Sequence, residues 1–158
     1  MGEEFSEAGT EWEGNVSHFA DRLVAAVRRC GNPVLVGLDP RLESLPEGLS
    51  REVARDDPGA TAAAYTTFCQ GVIDVVAPLV AIVKPQAAFF EKLGPCGMDA
   101  LASVVAYANE KGLMVILDGK RNDIGSTATA YAQGYLGAGS TSNWGSDALT
   151  VSPYLGAD

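Results

Sequence analysis

Apolar positions along this chain fall into two kinds of run, and the two kinds alternate. Short runs that are apolar almost throughout occupy 34–38 (VLVGL), 79–83 (LVAIV), 113–117 (LMVIL) and 148–152 (ALTVS). Runs of this length, bounded by Gly, Pro or charge, have the composition of strands buried on both faces of a parallel sheet. Between them the apolar residues recur at helical spacing: Phe19, Leu23 and Val27; Tyr65, Phe68, Val72 and Val76; Leu101, Val104, Val105 and Ala108. That spacing predicts amphipathic helices. An Ala-rich, helix-prone stretch at 127–136 follows the third run.

Local signals set the boundaries. Asn15 or Ser17 is expected to cap the first helix, Arg28 and Arg29 complement the dipole of its last turn, and Gly31-Asn32-Pro33 stops it. Residues 40–58 read as a long loop with a helical turn around 49–53, and Pro78 closes the helix predicted over 61–77. A short helix is expected over 87–93, broken by Gly94-Pro95 and Gly97, and Lys111-Gly112 should end the next one. The glycines of 134–145 precede a strand instead of opening a helix, so they read as a loop more readily than as a phosphate cradle.

Strand and helix thus alternate through four strands. An open doubly wound sheet and a (β/α)8 barrel both fit this order, and the first strand carries no glycine fingerprint for a dinucleotide. Either architecture keeps its chemistry at the carboxyl ends of its strands. The first strand ends on Asp39-Pro40, the second delivers Lys84-Pro85-Gln86, and the third runs into Asp118-Gly-Lys-Arg-Asn-Asp123. Each has a bland counterpart: a strand-ending turn at Asp39, a snorkelling surface lysine at Lys84, a hairpin turn at Asp118-Gly119. The hairpin fits poorly, because no second strand follows for about ten residues.

Composition narrows the functional classes. The chain has 158 residues, 47% of them hydrophobic, and a mean hydropathy of +0.08, the profile of a globular domain with a real core. A formal net charge of −9 disfavours nucleic acid and anionic membrane surfaces as partners. An anionic ligand would have to be drawn in locally, with Lys84 and Lys120 as the candidates. No run approaches the length of a membrane span. One histidine, His18, and three scattered cysteines without CxxC give no metal-ligand spacing, and the odd cysteine count suits a reducing cytoplasm. Residues 1–16 hold Glu3, Glu4, Glu7, Glu11 and Glu13 without the charge and apolar pattern of a signal peptide. They read as a flexible acidic tail ahead of a domain at 17–158. The sequon Asn15-Val-Ser17 carries no weight without secretion.

Four segments, PVLVGLDPR at 33–41, VKPQAAFFE at 83–91, LDGKRNDIGST at 117–127 and VSPYLG at 151–156, together resemble orotidine 5′-phosphate decarboxylases, and in detail the bacterial long-form, type 2 branch. The resemblance covers about residue 19 onward and implies a (β/α)8 TIM barrel. A full barrel takes about 250 residues, so the chain is expected to hold about half of one, its end at Asp158 being a truncation. Two unpaired strand edges would then favour self-association.

The resemblance also implies an activity, decarboxylation of orotidine 5′-phosphate to uridine 5′-phosphate without metal or organic cofactor, in a cytoplasmic homodimer. Lys120 would be the proton donor to the C6 carbanion, Asp118 would face the substrate carboxylate, and Lys84 would extend the charge array and contact the ribose. Asp39 would accept a ribose hydroxyl. Asp123 and Thr127 would enter the neighbouring subunit's site. The family's pyrimidine- and phosphate-gripping loops belong to the other half of the barrel, so these residues alone are expected to be weakly active or inactive. Two alternatives stand beside this: a magnesium-dependent sugar-phosphate decarboxylase or aldolase with a similar Asp-x-Lys-x-x-Asp loop, and a non-catalytic, self-associating fragment.

Overall fold

The computed structural model describes residues 18–51, 53, 56–137 and 142–152. The acidic tail, the proposed caps Asn15 and Ser17, and residues 153–156 of the VSPYLG segment lie outside them. Helix α1 (Phe19–Cys30) has His18 at its N-cap position without a side-chain capping bond, and Gly31 closes it in the left-handed conformation, φ 71°. Strand β1 (Leu35–Leu38) follows. In the loop after it a 3-10 turn (Leu42–Ser44) and helix α2 (Glu47–Ser50) stand slightly ahead of the turn expected at 49–53.

Helix α3 (Pro58–Val76) begins one turn before its first expected residue. Asp57 accepts the Ala60 amide at 2.9 Å, and Pro58 at the first helical position has its φ already set for a helix. Strand β2 (Ile82–Pro85) starts later than the apolar run that announces it and includes Lys84. Helix α4 (Ala87–Glu91) is short, and α5 (Pro95–Glu110) starts at the proline expected to break it. Gly97 therefore lies inside a helix. A Cβ there would sit 1.9 Å from the Phe90 carbonyl oxygen, so glycine serves close packing of α5 on α4 and not a break. Strand β3 (Met114–Leu117), helix α6 (Gly125–Leu136) and strand β4 (Ala148–Leu149) complete the described elements. Gly134 belongs to α6 and not to a loop, and β4 is shorter than the run at 148–152.

All four strands are parallel, in the order β1-β2-β3-β4. Sequential order without reversal decides between the two architectures, because a doubly wound sheet switches direction partway and a barrel does not. The chain carries four consecutive strands of a (β/α)8 barrel.

Side chains alternate across such a sheet. Val83, Val115 and Leu117 point to one face, where they join Tyr65, Cys69 and Ile73 of α3 and Leu101, Val104 and Val105 of α5 in the main core. Ile82 and Met114 point to the other, and there α1 covers them with Ala26, Leu23 and Val27. Arg22 of α1 pairs with Asp147 just ahead of β4 at 2.5 Å, and Asp147 also accepts the Val115 amide at 2.7 Å. The amino end of this face is thereby closed with apolar residues. Its carboxyl end is left for polar ones.

Burial of β1 on both faces is not observed. Only Leu38 is buried in it, and Val34 and Leu35 are 53% and 39% exposed, because β1 has one strand neighbour among the described residues. Among those residues no helix is long and apolar enough to cross a membrane.

Candidate active site

The same alternation that sends Ile82 and Met114 to the α1 face sends Lys84, Gln86 and Asp118 to that face farther along the strands. The backbone ladder runs one residue past the strands to hold them. Gln86 N–H donates to the Leu38 carbonyl at 3.1 Å, Asp118 N–H to the Pro85 carbonyl at 2.9 Å, and Ala87 N–H to the Asp118 carbonyl at 3.2 Å. Three strand ends are thus stitched together.

Asp118 is the centre. Its side chain is only 10% exposed, and each oxygen receives two donors. Lys84 Nζ at 2.6 Å and Gln86 Nε2 at 3.0 Å donate to Oδ2. Lys120 Nζ and Thr150 Oγ1, the latter at 2.9 Å, donate to Oδ1. An ionised carboxylate offers about four lone-pair sites, and here all are taken. Burial alone would push this carboxyl's pKa up, but the hydrogen bonds from Lys120, Lys84 and Thr150, with the Lys84 charge, outweigh it. Asp118 is held well below the usual carboxylate range and stays ionised.

Lys120 adopts a left-handed backbone, φ 48°, which glycine tolerates and lysine does not favour. Such a conformation costs of order 1–3 kcal/mol and persists where neighbouring contacts over-determine it. Those contacts are visible: Lys120 N–H donates to Thr150 Oγ1 at 3.1 Å, and Arg121 N–H to the Thr150 carbonyl at 3.1 Å. The Thr150 hydroxyl accepts from the Lys120 backbone while its own proton goes to Asp118. The Lys120 side chain keeps 54% of its surface exposed, against 27% for Lys84, so it borders the open side of the cluster.

Asp39 ends β1 on the same rim and is exposed. Its neighbour Gly37 pairs with Lys84 across the ladder, and a Cβ on Gly37 would lie 3.4 Å from Asp39 Oδ1. Among the described residues no hydrogen bond or ion pair joins Asp39 to Asp118. Asp123 and Thr127 are likewise exposed. The Asp123 carboxylate accepts the Ile124 amide at 2.8 Å and stays apart from the cluster. The structure therefore unites Lys84, Asp118 and Lys120, places Asp39 beside them and leaves Asp123 and Thr127 facing outward.

Two members of the cluster escaped sequence reasoning. Gln86 sits within the VKPQAAFFE segment, and period-2 alternation from Lys84 would have found it. Thr150 gave no signal, since a β-branched residue in an apolar run reads as a strand former. Among the described residues no group of three or more His, Cys, Asp or Glu is placed to hold a metal ion. The cavity lined by Leu42, Glu43, Thr61, Tyr65 and Lys92 is separate from the cluster and has none of its residues.

Comparison with known proteins gives the geometry a context. The family model described as orotidine 5′-phosphate decarboxylase / HUMPS family matches residues 32–158. The chain is 61% identical over 142 residues to the orotidine 5′-phosphate decarboxylase of Rhodopirellula baltica, covering 89% of this chain and 47% of that protein. It is 45% identical over 139 residues to the enzyme of the same name from Nocardioides sp., covering 87% and 46%. Among solved structures, the OMP decarboxylase of Leishmania donovani superposes with a TM-score of 0.65 at 34% identity, covering 87% of this chain and 45% of that one. The chain spans about half the length of the curated relatives it matches.

Proposed function

The chain belongs to the orotidine 5′-phosphate decarboxylase / HUMPS family, and from that premise we propose that the full-length protein converts orotidine 5′-phosphate to uridine 5′-phosphate and carbon dioxide. The observation that carries this reading is the Lys84, Asp118, Lys120 array, in which one buried carboxylate lies between two ammonium groups. When the bond from C6 to the carboxyl carbon breaks, carbon dioxide leaves and the electron pair stays on C6. A vinylic carbanion needs a proton donor held beside it. Lys120 suits that role, being the more exposed ammonium and the one aimed by a constrained backbone, and it regains its proton from solvent after product forms.

Asp118, kept ionised, would stand against the substrate carboxylate, so that repulsion is relieved as carbon dioxide departs. Lys84 and Asp39, on adjoining strands, are assigned to the ribose. Asp123 and Thr127, exposed and detached from their own cluster, are assigned to the neighbouring site of a cytoplasmic homodimer. The four donors on Asp118 leave it no free lone pair for a cation, which favours this cofactor-free reading over the magnesium-dependent sugar-phosphate enzymes.

Lys120→Ala in the full-length protein is the test. Loss of about 10²- to 10⁴-fold in turnover, the usual contribution of a positioned acid, with an unchanged circular dichroism spectrum is expected. Turnover equal to the parent would end the role of Lys120, and inactivation by EDTA would favour the magnesium rival.

A second reading concerns the 158 residues by themselves. Helix α6 has no buried residue, and β1 leaves Val34 and Leu35 exposed, so this polypeptide alone is expected to self-associate and to turn over substrate weakly or not at all. A well-behaved monomer in sedimentation velocity would contradict it.

A further inference from the structure

Arg121 follows Lys120 directly, yet its side chain serves a different contact. One guanidinium nitrogen donates to the carbonyl of Gly119 and another pairs with the Glu91 carboxylate. Both side chains are largely withdrawn from solvent, at 24% and 32% exposure. Glu91 is the last residue of α4, the helix that leaves Gln86 at the end of β2. The pair therefore joins the turn that carries Lys120 to the segment directly after Lys84 and Gln86, while the Arg121 amide fixes the same turn to β4 through Thr150. Guanidinium suits this place because its rigid fork reaches a carbonyl and a carboxylate together, which a single ammonium does with less definition.

We propose that Arg121 and Glu91 are positioning residues that hold the turn 119–121 in its left-handed form and so keep the Lys120 ammonium on Asp118. Its kinetic consequence rests on the decarboxylase reading; its structural consequence does not. A turn released by even about 1 Å is enough to cost on the order of 10²-fold in rate.

The test uses Glu91→Gln, Arg121→Met and Arg121→Lys in the full-length protein. The first two are expected to lower kcat roughly 10- to 100-fold with KM changed less than about threefold, and Arg121→Lys to fall between them and the parent. Amide hydrogen exchange at Lys120, followed by NMR, is expected to quicken at least about tenfold in Glu91→Gln and Arg121→Met, as protection tracks local opening. The Val115 amide, held by Asp147, keeps its rate. Parental kcat in a folded variant, or unchanged exchange at Lys120, overturns the proposal. Should Arg121→Met fail to fold, Glu91→Gln, which keeps the size of the side chain, decides. A parent protein that releases no carbon dioxide defeats the decarboxylase reading instead, and the exchange comparison still decides the clamp.

Discussion

The hydroxyl of Thr150 donates to Asp118 Oδ1 at 2.9 Å across 32 positions of sequence. It brings the end of β4 into a charge cluster otherwise made by β2 and β3, and it holds the Lys120 amide at the same time. Thr150→Val keeps the shape and removes both interactions. A hydrogen bond to a charged group contributes about 1.5–3 kcal/mol, so unfolding by urea should show a loss of that order and turnover of the full-length protein should fall about tenfold or more. Parental values in both would deny Thr150 any part in the cluster.

Asp118 links stability to pH. Its folded pKa lies below the usual 3.8 because the donors outweigh burial. Stability from a depressed carboxylate is fully present above the unfolded value, about pH 4, and is lost as pH falls through the folded one. Asp118→Asn should therefore cost roughly 1–3 kcal/mol at pH 7, and the gap from the parent should narrow below about pH 4. A gap that is constant in urea titrations at both pH values would contradict the ionised assignment.

Cys69, fully buried under α3, has its thiol pushed up to about 12 by burial and, secondarily, by the Asp39 charge. A raised folded pKa means that its contribution to stability is present below about pH 8.5, the unfolded value, and is lost as pH rises toward the folded one. Titration of the native protein with a disulfide reagent at pH 8 should leave Cys69 unmodified while the partly exposed Cys30 and Cys96 react first. Prompt labelling of Cys69 would show that α3 does not seal it.

Gly97→Ala places a methyl group 1.9 Å from the Phe90 carbonyl oxygen, and backbone cannot move aside as a flexible side chain can. Overpacking of this kind typically costs about 1–3 kcal/mol, against the stabilisation of up to about 1 kcal/mol expected for Gly→Ala in an unobstructed helix. Thermal unfolding gives the sign directly. A higher melting temperature would mean that α4 and α5 are not so closely packed.

Much of the fold was legible because it is written locally. Four apolar runs gave four strands, and 3.6-residue spacing gave α1, α3 and α5. Boundaries were less legible where proline and glycine have two meanings. Gly94-Pro95 and Gly97 read as a break, yet Pro95 opens α5 and Gly97 admits its close approach to α4. The burial of β1 was misjudged because composition reports what a strand can tolerate, while exposure depends on its neighbours.

By itself the sequence determined which groups stand at the strand ends: Asp39, Lys84, Asp118 and Lys120 each follow or close an apolar run, and the linkage of run to polar end is covalent. Tertiary structure alone decided which of them meet. Parallel pairing in sequential order sets Lys84, Gln86, Asp118 and Thr150 on one face within hydrogen-bond reach, although 34 residues separate Lys84 from Asp118. Asp123 lies only five positions after Asp118 and points away. Sequence distance is fixed by bonds along the chain, whereas contact distance is fixed by register across the sheet, and only the second brings charges close enough to set one another's ionisation.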